Sequence, residues 1–447
     1  MAQIEKRNSS RINAIFPITI GGIFLGSTID ISQNGALLDI PALVTTCGRV
    51  ASMQIKLDDM RDIKMPFRII WHKEFNATRI LAGVQFLNAV GMNHGILDDV
   101  YKNFKDLDGE FISEVKKLRS LLNEIKASTN RIDQVTLDEV DQSKNLDVVK
   151  SIFFPILDEH FEKIWSTYIK QPVSLQSIHQ KYCRLMLHEL VEEVGINKHI
   201  YQKPFGYSGD FMTMEYIYTY HQGRYLGGSA FEKLLNHYTC NIPISKSNIG
   251  RLHFLEQEIL RTLTIKQNPS LMSVGSGPLH EVFELLDSGL ISAPANFTCI
   301  DFEPKTLEYI QNKLNRVDPA KRQLISLRHV IKNVLEIIRT KKASNELGSY
   351  DLIYASGVFD YLSDRLATAL ITKLYSMLGN GGRLIIINAS LANNKVRAYY
   401  ELVGEWVMYH RTPDSMLNWI RDESARANAY FKEIQESRSY LHLILDK

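Results

Sequence analysis

The chain has 447 residues, too many for one ordinary domain and enough for two or three, each with a core drawn from its 45% hydrophobic residues. Lys and Arg nearly cancel Asp and Glu, leaving a formal charge of +2, so the overall balance calls for neither nucleic acid nor an anionic membrane, and any anion site must be local. The four cysteines, Cys47, Cys183, Cys240 and Cys299, lack CxxC spacing, which argues against a disulfide framework or a metal site and suits a reducing cytoplasm.

The chain begins with a polar lead-in carrying Arg7 and Arg11, followed by "INAIFPITIGGIFLG". Asn13, Pro17, Thr19 and a Gly pair interrupt this run, and it falls short of the roughly 20 apolar residues of a membrane span, so it reads as two strands joined at Gly21-Gly22. Further short apolar runs follow: "GALLDI", "ASMQIKL", "MPFRIIW" and "LAGVQFL". With Gly, Pro, Asn or Asp between them they predict a small β-barrel over residues 1–105. Arg7-x-x-x-Arg11 with Asp30-x-Ser32-x-x-Gly35, and "AGVQF" at 82–86, resembles the PilZ domain, a bacterial receptor for cyclic di-GMP. The resemblance implies that Arg7 and Arg11 wrap the dianionic ligand while Asp30, Ser32 and the turn at Gly35 grip a guanine. Guanidinium groups suit that task because they clamp phosphate in two places and also stack on or read guanine.

Residues 106–245 change texture. Leu107, Phe111, Val115, Leu118, Leu122 and Ile125 recur at steps of three and four, predicting a helix that the polar stretch 128–145 breaks like a linker. More helical sequence follows, then "YQKPFGYSGDFMTMEYIY" at 201–218. Gly206 and Gly209 make this a turn, loaded with Tyr207, Asp210, Tyr216 and Tyr218. Two motif matches are false: "HELVE" at 188–192 lacks the second His of HExxH, and in "GYSGD" Asp210 replaces the last Gly of a G-x-S-x-G elbow.

Residues 246–447 alternate strand and helix, with "LMSVGSG", "FTCIDFE", "YDLIYAS" and "GGRLIIIN" as strands of a parallel, doubly wound, Rossmann-like sheet. After the first strand, Gly275, Ser276 and Gly277 form a tight turn ahead of a helix whose free N–H groups suit an anion. After the second, Asp301 stands where a carboxylate accepts both hydroxyls of a nucleotide ribose. NAD and S-adenosylmethionine both fit that pair, although His280 occupies the small-residue position of the dinucleotide fingerprint and speaks against NAD.

"VGSGPL", Asp301 with Phe302, "IKNVLEI" with Asn333 and Val334, and "YDLIYASGVFDYLSD" with Ser356 resemble the class I S-adenosylmethionine-dependent methyltransferases, whose final antiparallel hairpin is matched by "FKEIQESRSYLHLILDK". Leu279 departs from their GxGxG turn at its last glycine. The 201–218 stretch and "GRLHFLEQEI" at 250–259 resemble methyltransferases of 3-hydroxypalmitic acid methyl ester biosynthesis. This implies a loop that folds over the cofactor, with Tyr207 facing the sulfonium and Asp210 fixing the loop. A fatty-acid carboxylate acceptor is already ionised and needs no base. A hydroxyl or amine acceptor needs one, from Asp360, His410 or Asp210. Phe359, Tyr361, Tyr399, Tyr400, Trp406 and Tyr409 are candidates for an apolar acceptor wall or for helix core.

The expectation is therefore a multidomain bacterial protein of the cytoplasm: a PilZ-like barrel, a helical middle segment and a methyltransferase sheet. It uses S-adenosylmethionine on a small-molecule acceptor and answers to cyclic di-GMP. Two other classes fit the same residues, a catalytically degenerate signalling adaptor and an NAD oxidoreductase.

Overall fold

The computed structural model describes residues 16–20, 24–32, 35–44, 50–56, 62–76, 79–87, 106–135, 139–191, 195–221, 227–340 and 346–447. The chain forms two compact units, Met1–Ser128 with Pro155–Glu192, and Thr129–Phe154 with Glu193–Lys447.

In the first unit the six predicted runs become β1 (Pro17–Ile20), β2 (Phe24–Ser32), β3 (Gly35–Pro41), β4 (Val50–Lys56), β5 (Asp62–Asn76) and β6 (Arg79–Phe86). They close into a barrel in the order β1-β2-β3-β6-β5-β4. Alternation decides which side chains enter it: Ala36, Leu38 and Ile40 of β3 are fully buried, while Asp39 faces outward and pairs with Arg79 across the ladder at 2.6 Å. Closure gives every described strand of the barrel a partner on both sides. The predicted Gly21-Gly22 turn lies outside the described residues, although β1 and β2 do pair antiparallel.

Three helices follow, α1 (Gly109–Val135), α2 (Glu139–Tyr168) and α3 (Val173–Val191). The predicted stripe Phe111, Val115, Leu118, Leu122 and Ile125 is buried, as are Tyr182, Met186 and Leu187 of α3. His179 packs edge-on against Phe111 and its Nε2 accepts from the Asp108 N–H at 3.0 Å. The polar stretch 128–145 divides this helical sequence as expected: α1 ends at Val135, α2 begins at Glu139, and residues 136–138 lie outside the described residues. Residues 128–135 complete α1 and 139–145 begin α2. The stretch holds neither Gly nor Pro, and helix extends into it from both sides.

The second unit contains α4 (Gly195–Gln202), α5 (Phe211–His221), α6 (Ala230–Asn241) and α7 (Pro243–Ile265), then a sheet built from β7 (Ser270–Val274), β8 (Ala295–Asp301), β9 (Ile325–Ile331), β10 (Tyr350–Ser356), β11 (Leu378–Ala389), β12 (Ala429–Phe431) and β13 (Tyr440–Asp446). The order is β12-β13-β11-β10-β7-β8-β9. Strands β9, β8, β7, β10 and β11 run parallel, and β13 joins β11 antiparallel, forming the predicted closing hairpin with β12. This is the Rossmann-like sheet expected, with α8 (His280–Asp287), α9 (Pro304–Leu314), α10 (Val334–Arg339) and α11 (Asp364–Ser376) among its helices. Strand β9 was absent from the expected strands. It lies at the sheet edge and only half buries its residues, so Arg328 and His329 interrupt the apolar run that marks a central strand. The core centres on Val274, Ile353, Ile386, Leu370, Leu374 and Trp419. The three described cysteines are buried free thiols. Among the described residues no helix is long and apolar enough to cross a membrane.

Candidate active site

The chain order of the sheet reverses between β7 and β10. From β7 the strands proceed outward through β8 and β9, and the next strand returns to the far side of β7. Loops leave the carboxyl ends of these two strands in opposite directions and open a crevice, which is where open α/β sheets place ligands. A cavity of about 380 Å³ lies there.

Its floor is the turn after β7. Gly275 and Gly277 have φ of +64° and +54°, values that cost a residue with a side chain. A Cβ on Gly275 would lie 2.2 Å from Val358, whereas one on Gly277 would meet no protein atom within 4 Å; Gly277 lines the cavity. Leu279, where the methyltransferase turn has its last glycine, takes the left-handed conformation itself, at φ +52°, and is fully buried. Burial of its side chain offsets the backbone strain. Ser276 is buried and its hydroxyl turns toward the carbonyls of Ser273 and Ile300. His280 begins α8 buried, its ring tilted against that of Tyr218 with centres 4.8 Å apart and its Nδ1 3.2 Å from Glu215. A ring thus fills the place where a dinucleotide site needs a small residue.

Asp301 ends β8 and lines the cavity. One oxygen accepts the Gly277 N–H at 3.3 Å and the other the Glu303 N–H at 3.1 Å. Burial pushes its pKa up, against the opposing pull of these backbone donors. Each oxygen keeps lone pairs for a ligand hydroxyl. Phe302, Asn333, Val334 and Ser356 also line the cavity. Asn333 caps α10 in a reciprocal capping box with Glu336.

The 203–210 turn supplies the opposite wall. Tyr207 lies 5.4 Å from the Phe302 ring and 6.1 Å from that of Tyr361, and burial raises its phenol pKa. Gly209 lets the turn approach closely, since a Cβ there would stand 2.6 Å from the Tyr361 hydroxyl. Asp210 is fully buried and outside the cavity lining. Its carboxylate accepts from His199 Nε2 at 2.8 Å and from the Thr213 N–H at 2.9 Å, tying the turn to α4 and α5.

After β10, Asp360 and Tyr361 reach the cavity. Asp360 Oδ1 accepts from the Ala389 N–H at 2.6 Å, and burial pushes its pKa up to about 7 despite Arg251 and Arg411 nearby. Tyr361 accepts from Trp406 Nε1 at 2.8 Å. Of the aromatic wall candidates, Tyr361 and Trp406 line the cavity. Phe359 stacks in the core on Trp419, Tyr399 bonds Asn197 and Thr239, Tyr400 is buried, and Tyr409 is exposed. His410 is buried with its pKa lowered to about 4 by desolvation. Sequence reasoning missed Met214, Arg251, Lys332, Met408 and Tyr440, all in the lining. The available signal was an arginine on the buried stripe of α7, between Ser247 and Leu255.

Residues 5–96 match the family model of the PilZ domain. In this domain the Asp30 carboxylate accepts the Leu37 N–H at 3.1 Å across the β2–β3 pair, Ser32 pairs with Gly35, and a Cβ on Gly35 would fall 2.1 Å from the Val84 carbonyl oxygen. Arg7 and Arg11 lie outside the described residues. No curated protein matches the chain. Solved structures similar to it include a possible exported protein from Bordetella parapertussis, at 13% identity and TM-score 0.41, covering 70% of this chain and 99% of that one. Another is magnesium protoporphyrin IX methyltransferase from Synechocystis PCC 6803 with bound S-adenosylmethionine, at 16% and 0.32, covering 46% and 83%. An N-methyltransferase from Bradyrhizobium japonicum WM9 with S-adenosylhomocysteine is similar at 14% and 0.31, covering 46% and 89%.

Proposed function

We propose that the chain is a cyclic di-GMP-binding, S-adenosylmethionine-dependent methyltransferase whose acceptor is a small molecule carrying a fatty-acid carboxylate. The observation that carries the reading is the Gly275–Gly277 turn with Asp301 on the Gly277 N–H, at the head of a cavity in the switch-point crevice. Asp301 suits two ribose hydroxyls, and the open space over Gly277 suits a ligand lying against the backbone. S-adenosylmethionine would supply an electrophilic methyl group on a sulfonium. An ionised carboxylate acceptor would need no general base against such a donor, so the task of the chain's own residues would be alignment and exclusion of water. Met214, Tyr361, Leu362, Trp406 and Met408 give the cavity an apolar wall for such an acceptor. In the PilZ domain, Arg7, Arg11, Asp30, Ser32 and Gly35 would hold cyclic di-GMP.

The test is calorimetric titration with S-adenosylmethionine and with NAD, then incubation with methyl-labelled S-adenosylmethionine and 3-hydroxy fatty acids. Binding of the sulfonium nucleotide alone and a labelled ester are expected. Tight binding without transfer to any acceptor in a cell extract would instead support the adaptor.

A further inference from the structure

Arg251 sits on α7 at 5% exposure and lines the cavity. A buried cation ordinarily has carboxylate partners, because its desolvation is otherwise uncompensated. Arg383, in the same unit, follows that rule, bonding Asp446 twice and Glu258 once at 2.7–2.8 Å. Arg251 departs from it. Its Nη2 reaches the thioether of Met214 at 3.2 Å, a weak acceptor, and its carbon centre lies 4.8 Å over the Tyr440 ring. The neutral phenol of Tyr218 is a further hydrogen-bonding neighbour. Its Nε is buried with no hydrogen-bond partner, and no described carboxylate lies within 4.0 Å of the guanidinium. Asp360 and Glu281 act on it only through space, with Asp360 Oδ1 engaged by the Ala389 N–H and Glu281 Oε1 by the Tyr354 hydroxyl. Its Nη1 lies beside Gly357 in the cavity wall, 3.6 Å from where a Cβ there would stand.

We propose that Arg251 is the carboxylate receptor of this cavity, holding either the aminoacyl carboxylate of the methyl donor or the acid group of the acceptor. The proposal rests on the methyltransferase reading for the identity of those ligands. A buried guanidinium that no carboxylate bonds, with Nε unpartnered and little competing water, binds carboxylate more strongly than it could at a surface. Holding the charge in advance also explains why the cavity wall keeps a buried cation that no carboxylate bonds.

Two arms of one experiment distinguish the sources, using wild type, Arg251→Gln and Arg251→Lys. In the first, S-adenosylmethionine is compared with decarboxylated S-adenosylmethionine by calorimetry. In the second, decanoate is compared with decan-1-ol, with and without S-adenosylhomocysteine. In the arm whose ligand Arg251 holds, Arg251→Gln should weaken the carboxylate ligand about tenfold or more, the scale of a charge-assisted hydrogen bond, and leave its carboxylate-free counterpart unchanged. Arg251→Lys should recover part of the loss. The melting temperature of Arg251→Gln without added ligand should change little, because a buried charge goes and no bonded carboxylate is left behind. Equal affinities across the variants in both arms, or equal weakening of acid and counterpart, would overturn the proposal. A wild type that ignores S-adenosylmethionine but holds decanoate through Arg251 would sink the cofactor reading and leave the receptor standing. No binding in either arm overturns both.

Discussion

Asp301 holds the Gly277 N–H of the turn after β7 and the Glu303 N–H of its own, so the residue proposed to receive the ribose also shapes the floor beneath it. Asp301→Ala should weaken S-adenosylmethionine binding by about 2 kcal/mol or more, the scale for hydrogen bonds to a charged group. Calorimetry on a folded variant checks this, and unchanged affinity would remove Asp301 from the site. Asp360 makes a pH prediction. Its pKa rises to about 7 in the folded chain, first through burial and against the pull of Arg251 and Arg411, from an ordinary value of 3.8. The folded state therefore binds more protons than the unfolded state between about pH 4 and pH 7. The contribution is fully present below about pH 4 and is lost as pH rises toward 7. Melting temperature against pH should accordingly fall less steeply across this window in Asp360→Asn than in wild type. Parallel curves would mean the carboxylate is ionised throughout.

The element that most constrains the cavity is the 203–210 turn. Two glycines bend and thin it, Tyr207 faces the ligand space, and the His199–Asp210–Thr213 hydrogen bonds fasten it from behind. The two ends of this turn should respond differently to truncation. Tyr207→Ala removes a cavity wall and should cut turnover far more than it lowers the melting temperature. Asp210→Ala leaves a helix start uncapped and His199 without its acceptor, so it should cost about 1–3 kcal/mol of stability. Calorimetric melting beside methyl-transfer rates separates the two, and an active Tyr207→Ala with a lowered melting temperature would make that tyrosine a packing residue. Helix α7 brings Arg251 to the cavity because Gly250 lets it sit against the turn at Glu436, where a Cβ would stand 2.3 Å from that residue's carbonyl. A side chain at Gly250 would push the guanidinium away from the wall.

At the scale of the whole molecule, one chain joins a PilZ domain to a candidate catalytic unit. If Arg7 and Arg11 hold phosphate or guanine, replacing both with Ala should abolish cyclic di-GMP binding and leave S-adenosylmethionine affinity of the nucleotide-free protein unchanged. Coupling between two sites is typically about 1–3 kcal/mol and reciprocal for binding. Saturating cyclic di-GMP should therefore change turnover or cofactor affinity several-fold in wild type and not in the double variant. Equal kinetics with and without the nucleotide would assign the domain to localisation or assembly instead.

The sequence by itself determined the element types wherever a residue's fate depends on near neighbours. Strands with alternating or continuous apolar runs, the stripe on α1, and the Gly275–Gly277 turn ahead of Asp301 were legible because periodicity and backbone freedom are local properties. Strand β9 was not, because edge position blurs those same patterns, and the polar stretch 128–145 did not record how far α1 and α2 extend into it. Tertiary structure alone decided which side chains share a space. Asp210 and Tyr207 are neighbours in one turn, yet one backs it and the other faces the cavity. Tyr361 and Trp406 meet across intervening chain, whereas Tyr399 and Tyr400 turn into the core. Arg251, Gly357 and Tyr440 come together from a helix, a loop and the last strand. Whether a buried charge finds a partner depends on every element packed around it, and no spacing along the chain records that.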